Sequence, residues 1–365
     1  VSCVLFTEHE TLDGRKVIEI TLNAERSLNA LSLDMIKLIQ PALDRYRDDE
    51  SVVAILLDGS GEKAFCAGGD VVGLYHGLQQ ESGAEFAAEY FSAEYRLDYC
   101  IHTYPKPIIG WGAGIVMGGG LGLLAGCHYS IVTETTMIAM PEVTIGLYPD
   151  VGASWFLNRC PGRTGLFLGL TGLRINAADA KYLGIAQRQL DNRQRPEFIA
   201  QLLAANLDKE QAKNSINTIL RSLECQGEVG QQVSQVREHF DLIQALTDVD
   251  SAGDFVKALQ QLEIDDSWIN KAQKAVAHGS PMSIAMIYQQ LQASKYLSLK
   301  QVFMAELALS VQCCVIGELA EGVRALLVDK DGAPNWRYKS VEQVDEAFLA
   351  QLFSQVWPQN PLADL

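Results

Sequence analysis

A chain of 365 residues with 48% hydrophobic and 20% charged side chains carries enough apolar material to bury a sizeable core, which excludes disorder as its main character. A formal charge of −16 excludes general nucleic-acid binding, which needs clustered Lys and Arg to displace counterions from phosphates. No apolar run approaches the roughly 20 residues of a membrane span, and the first residues lack the basic and apolar regions of a signal peptide, so a soluble protein with no membrane partner is expected.

The chain is expected to open as a β-hairpin, with strands over Val1 to Thr7 and Lys16 to Leu22 around the turn-forming Asp13-Gly14. Ser32 is a candidate N-cap for an amphipathic helix whose apolar residues include Leu33, Ile36, Ile39 and Leu43, kinked near Pro41. A buried strand follows over Val52 to Leu57, then glycine punctuation at Gly59, Gly61, Gly68 and Gly69, then a helical stretch from about Ala84 to Thr103 that Pro105 and Pro107 stop. The strand Pro107–Trp111 runs into a glycine cluster that gives way to a helix. Two further strands, Tyr129 to Thr133 and about Met137 to Met140, lead to the acidic loop MPEVTIGLYPDVG. Beyond about Leu190 Gln, Lys, Glu and Leu dominate with helical periodicity, which divides the chain into a β/α part, 1–190, and a mainly helical part, 191–365. The strand, loop and helix alternation suggests an α/β protein built of stacked βα units as much as one doubly wound sheet. The eight cysteines are dispersed in apolar sequence with no CxxC pair, and read as reduced core residues.

Three clusters have chemical potential. In FCAGGD, residues Ala67, Gly68, Gly69 and Asp70 are either a plain turn after a strand or small residues that let a backbone N–H approach a ligand carbonyl. In MGGG, residues 117–120, three glycines at a helix start serve either close helix-on-sheet packing or the presentation of unpaired N–H groups to negative charge. A dinucleotide fingerprint is a poor alternative, because Met117 stands at the third glycine position. In the acidic loop, Glu142 lies among apolar neighbours, where desolvation would raise its pKa and suit it to base or nucleophile chemistry, whereas Asp150 could be a simple helix N-cap. The six histidines share no catalytic spacing, and the GxSxG, P-loop and HExxH patterns are absent. Carboxylates plus backbone amides remain, a set suited to acyl chemistry or enolate stabilisation.

KAFCAGGD, MGGG and AMPEVTIGLYPDVG, in this order and spacing, resemble the crotonase (enoyl-CoA hydratase/isomerase) superfamily, together with YPKPIIG, FLNRCPGRTGLFLGLTG, HGSPMSIAM and EGVRALLVDKDGAPNW. The resemblance implies a crotonase-like spiral of ββα units followed by a helical C-terminal region, which in this family often contributes to homo-oligomers. It implies an acyl-CoA substrate, with coenzyme A part of that substrate and no separate cofactor or metal. It also implies a thioester carbonyl held by two backbone N–H groups that map to Ala67 and Gly119, with Gly68 beside them, a catalytic glutamate at Glu142, and acyl-pocket positions at Glu94 and Asp150. Gly122 stands where hydratases carry a second glutamate, and Asp150 where they tend to have glycine. Both departures favour the branch that hydrolyses 3-hydroxyacyl-CoA thioesters, with 3-hydroxyisobutyryl-CoA, from valine breakdown, as the expected substrate. An enoyl-CoA hydratase or isomerase and an inactive acyl-CoA-binding scaffold are the alternatives. Arg26 and Lys63 are candidates to meet the CoA phosphates or adenine. The cytoplasm is the expected compartment, or the mitochondrial matrix in a eukaryote.

Overall fold

The computed structural model describes residues 2–208, 211–227 and 232–365, so that Val1, at the start of the expected hairpin, lies outside the described residues. The hairpin is formed by β1 (Val4–Glu10) and β2 (Lys16–Leu22), which pair antiparallel around Gly14 at φ 78°. Ser32 caps α1 (Leu33–Asp48) by accepting the Met35 N–H, and the helix carries Pro41 within it. The β3 strand (Val52–Gly59) is buried along nearly its whole length, as expected of a strand with parallel neighbours on both sides.

From β3 onward the chain repeats a strand, a second short strand and a helix. β3, β4 (Ala64–Cys66) and α2 (Val71–Leu78) form the first set, joined by α3 (Gly83–His102) to the second set of β5 (Ile108–Gly112), β6 (Ile115–Met117) and α4 (Gly119–Gly126). β7 (Tyr129–Thr133) and β8 (Met137–Ala139) follow, and β9 (Arg188–Leu190) closes the series. One six-stranded sheet has the order β1-β2-β3-β5-β7-β9, and the short strands β4, β6 and β8 make a three-stranded sheet in that order. This periodicity stacks one repeat on the next, in place of a single doubly wound sheet.

The chain divides into two units, each made of three segments. One comprises Val1–Gly69, Leu97–Ile138 and Ile175–Ser234, the other Asp70–Arg96, Ala139–Arg174 and Gln235–Leu365. This differs from the cut at residue 190 drawn from composition, because the chain leaves the β-rich unit at Gly69 and at Ile138 before returning to it. The first unit holds the six-stranded sheet and packs Trp111, Ile131, Leu190, Phe198 and Leu220 into one core. The second is dominated by helices, with Phe167 placed edge-on to Phe255 at 6.2 Å and tilted against Trp268 at 5.6 Å. Each such buried aromatic contributes roughly 1.5–3 kcal/mol from removal of apolar surface from water. All eight cysteines are free, and five of them are buried. Among the described residues no single helix is long and apolar enough to cross a membrane.

Candidate active site

In the first unit, β4 and β6 run parallel with Cys66 opposite Val116, so the two glycine runs that follow these strands emerge side by side. A Cβ on Gly120 would lie 2.2 Å from the carbonyl oxygen of Cys66, which makes this glycine a packing requirement. Gly118, at φ 47°, is the N-cap of α4, and Gly119 supplies the first helical N–H, which has no acceptor inside the helix. Gly68 has φ 119°, and a Cβ there would lie 3.4 Å from Met117 O.

The expectation for Ala67 needs correction. Its N–H donates to Leu28 O at 3.0 Å and so does not point to a ligand. Leu28 and Asn29 both adopt left-handed backbone, and the Asn29 amide fixes this turn by donating to Ser60 O and Ala64 O. Leu31 N–H donates to Gly68 O at 2.8 Å, within a parallel bridge that pairs Leu31 with Gly69. Peptide groups alternate along a strand, so the N–H of Gly69 turns to the side away from Leu31, and it has no acceptor among the described residues. Gly69 is therefore a candidate donor in this loop in place of Ala67. Arg26 and Lys63 are both exposed in this unit.

In the second unit, Glu94, Glu142 and Asp150 come together, all but inaccessible to solvent. Glu94 is set by α3, and Glu142 opens a 3-10 turn, Glu142–Ile145, closed by Gly146 at φ 74°, where a Cβ would meet Glu318 O at 2.6 Å. Glu142 Oε2 and Glu94 Oε1 are buried with no hydrogen-bond partner among the described residues. Burial, reinforced by the Asp150 charge and then by Glu94, pushes the Glu142 carboxyl well above the usual carboxylate range. Burial and Asp150 do the same to Glu94. Burial raises Asp150 only to about 6, because the Tyr95 hydroxyl, donating to Oδ2 at 2.5 Å, favours its charged form. Burial thus favours the protonated form of all three, and of these three only Asp150 accepts a tyrosine hydroxyl that opposes it.

Asp150 is not a side-chain N-cap. The short helix α5 (Ala153–Phe156) is capped by Gly152 at φ 83°, without a side-chain hydrogen bond, and only the Asp150 carbonyl accepts the Ala153 N–H. Between them Val151 sits at φ 54°, a strained conformation for a β-branched residue. What holds it there is Glu306, from the helix Leu299–Val315, whose buried carboxylate accepts the N–H groups of Gly152 at 2.7 Å and Ser154 at 3.0 Å. Glu306 is itself raised to about 8 by burial and by Asp150. Sequence reading missed Tyr95, Glu306 and Ser310. The available signal was a lone Glu and Ser, four residues apart, on one face of the apolar helix sequence VFMAELALSVQCC.

Backbone donors after paired strands and a buried carboxylate cluster are equipment for acyl or enolate chemistry. The chain matches the enoyl-CoA hydratase/isomerase family over residues 17–353 and belongs to that family. It is 38% identical to the mitochondrial 3-hydroxyisobutyryl-CoA hydrolase of Gallus gallus, across 92% of this chain and 85% of that one. The hydrolase of the same name from Xenopus tropicalis is 34% identical, across 96% and 91%. Among solved structures, an enoyl-CoA hydratase from Rhodobacter sphaeroides 2.4.1 superposes with a TM-score of 0.84 at 30% identity, covering 98% of this chain and 99% of that one. A carnitinyl-CoA dehydratase from Mycobacterium thermoresistibile gives 0.85 at 32%, covering 98% of each. The fold expected from the resemblance, crotonase-like with a helical C-terminal region, is the fold of this chain.

Proposed function

We propose that this protein hydrolyses 3-hydroxyisobutyryl-CoA to 3-hydroxyisobutyrate and coenzyme A, a step of valine breakdown. The observation that carries the reading is the buried pair of Glu142 and Asp150, reinforced by relatives that bear the hydrolase name across more than nine-tenths of this chain. Coenzyme A enters as part of the substrate and no other cofactor is assigned. Family membership supports a homo-oligomer, and the mitochondrial address in the relatives' names supports the matrix as compartment in a eukaryotic source.

In this reading the thioester oxygen accepts hydrogen bonds from the N–H groups of Gly69 and Gly119, each worth about 3 kcal/mol once charge develops on the oxygen. Glu142 provides the attacking group. As its carboxylate it adds to the carbonyl carbon, the C–S bond breaks, and CoA departs as thiolate, leaving an acyl-glutamate anhydride that water cleaves; alternatively it removes a proton from an attacking water. Asp150 accepts a hydrogen bond from the substrate's 3-hydroxyl through the carboxylate oxygen that Tyr95 does not hold, and Glu94 lines the acyl pocket. The hydratase alternative needs two cooperating acids at the α- and β-carbons, and Gly122 removes one of them.

The two chemistries separate in deuterated water. With crotonyl-CoA, the hydrolase reading expects no deuterium at the α-carbon and no hydration product, and with 3-hydroxyisobutyryl-CoA it expects stoichiometric free thiol. Fast hydration of crotonyl-CoA without thiol release would overturn it. Water enriched in heavy oxygen distinguishes the routes: an anhydride opened at the Glu142 carbonyl releases unlabelled acid in a single turnover and leaves label in the Glu142 carboxylate, whereas direct attack by water labels the acid and not the enzyme.

A further inference from the structure

Four oxygen contacts leave Asp150 in a single file. The Tyr95 hydroxyl lies 2.5 Å from Asp150 Oδ2 and 2.6 Å from Ser310 Oγ; Ser310 Oγ lies 2.8 Å from the Tyr148 hydroxyl, which lies 2.8 Å from the carbonyl oxygen of Glu306. Tyr95, Tyr148 and Ser310 are fully buried, and Tyr95 is wedged between the rings of Phe91 and Phe303 at 5.6 and 5.8 Å. None of the three hydroxyls can turn to water, so each proton must serve one of these contacts.

Three hydroxyl protons cannot fill four contacts. With Asp150 ionised, Tyr95 donates to the carboxylate, Ser310 to Tyr95, and Tyr148 to either Ser310 or Glu306 O, so one contact lacks a proton. A proton on Asp150 supplies the fourth, and the file can run Asp150 to Tyr95 to Ser310 to Tyr148 to Glu306 O with every contact satisfied. We infer that Tyr95 and Ser310 are positioning residues for Asp150, forming a hydroxyl file that fixes the carboxyl in place and reverses its donor direction when Asp150 takes up or loses a proton. This inference rests on the assignment of Asp150 to the substrate's 3-hydroxyl. The helix Leu299–Val315 serves Asp150 twice from one face, with Ser310 in the file and Glu306, one turn earlier, pinning the strained backbone just after it.

The groups that act electrostatically with Asp150 come from every element around it. They are Tyr90, Glu94 and Tyr95 on α3, Glu142 and Tyr148 in the acidic loop, and Glu306, Cys313 and Cys314 on the helix Leu299–Val315. Because Glu142 titrates with them, Asp150 is best read where Glu142 has no charge to lose, in the Glu142→Gln protein. The measurement is the Kd of 3-hydroxyisobutyryl-CoA and of isobutyryl-CoA for this protein between pH 5 and 8, alone and combined with Tyr95→Phe, Ser310→Ala or Ser310→Thr.

Affinity for the hydroxylated ligand should fall as pH drops through the Asp150 transition, and isobutyryl-CoA should show no such fall. Tyr95→Phe removes a donor that favours the ionised form, so the fall should move up by about 1 pH unit, which weakens binding up to about 10-fold near the transition. Ser310→Ala should move it by a smaller amount, and Ser310→Thr, which keeps the hydroxyl, should restore it. An unmoved transition in both Tyr95→Phe and Ser310→Ala would overturn the file while leaving Asp150 in the site. A Glu142→Gln, Asp150→Asn protein that still discriminates the two ligands would overturn the Asp150 assignment and the file together. If Tyr95→Phe fails to fold, the Ser310 pair alone decides.

Discussion

Asp150 and Glu142 are both buried carboxyls, yet they differ by one hydroxyl. Tyr95 donates to Asp150 and favours its charged form, so burial raises Asp150 only to about 6, whereas Glu142 Oε2 has no partner among the described residues and burial pushes that carboxyl well above its usual range. Asp150→Ala should therefore cost selectivity more than chemistry. Its kcat/KM should fall about 10- to 100-fold for 3-hydroxyacyl-CoA and by much less for the unhydroxylated analogue, as loss of one hydrogen bond to a charged group predicts. Equal losses on both substrates, measured by thiol release, would remove the hydroxyl contact from its role. At this scale the sequence displayed the carboxylates plainly, because acids among apolar neighbours require a reason. It did not display Tyr95, Ser310 or Glu306, which reach Asp150 only through long-range packing. Nor did it show which N–H of Ala67, Gly68 and Gly69 is free, since that depends on which side of a strand each peptide faces.

The start of α4 shows how an element carries function. Gly120 is required because its Cα packs on Cys66 O, and this contact sets the spacing between the two loops that present the N–H groups of Gly69 and Gly119. Gly120→Ala should push α4 from β4, lowering stability by about 1–3 kcal/mol, the usual cost of overpacking, and lowering kcat more than it raises KM. A thermal melt and initial rates test this, and an active, equally stable variant would contradict the role. The α5 end behaves similarly. Glu306→Ala would strand two buried N–H groups and release the strain at Val151, at a cost of about 1–3 kcal/mol for each unsatisfied group. The long elements were legible because their signals are local: Ser32 before α1, Gly14 in the hairpin, the prolines after α3. The helix after Asp150 was not, since its cap is a backbone turn held from another helix.

Across the molecule, the buried acids set a pH dependence of stability with a definite sign. Glu94, Glu142 and Glu306 have folded pKa values above their unfolded ones, so between about 4.5 and the folded values the native state binds protons that the unfolded chain has released. Their contribution is thus fully present below the unfolded pKa and is lost as pH rises, by up to about 1.4 kcal/mol per pH unit for each group. The melting temperature should fall from pH 5 to pH 8, and Glu306→Gln should flatten the part of that slope that lies below about 8. A melting temperature that climbs over this window would contradict the burial of neutral acids. The two-unit organisation was the least legible feature, because composition changes once near Leu190 whereas the chain passes between the units at Gly69, Arg96, Ile138, Arg174 and Ser234.

The proposed activity is hydrolysis of 3-hydroxyacyl-CoA through Glu142. Free-thiol release from 3-hydroxyisobutyryl-, 3-hydroxypropionyl-, acetyl- and crotonyl-CoA, measured side by side for the wild type and Glu142→Gln, tests it most directly. Rapid release is expected from the two hydroxylated substrates, with loss of about 10²- to 10⁴-fold in the variant. Release that survives in Glu142→Gln, or its absence from both hydroxylated substrates in the wild type, would contradict it.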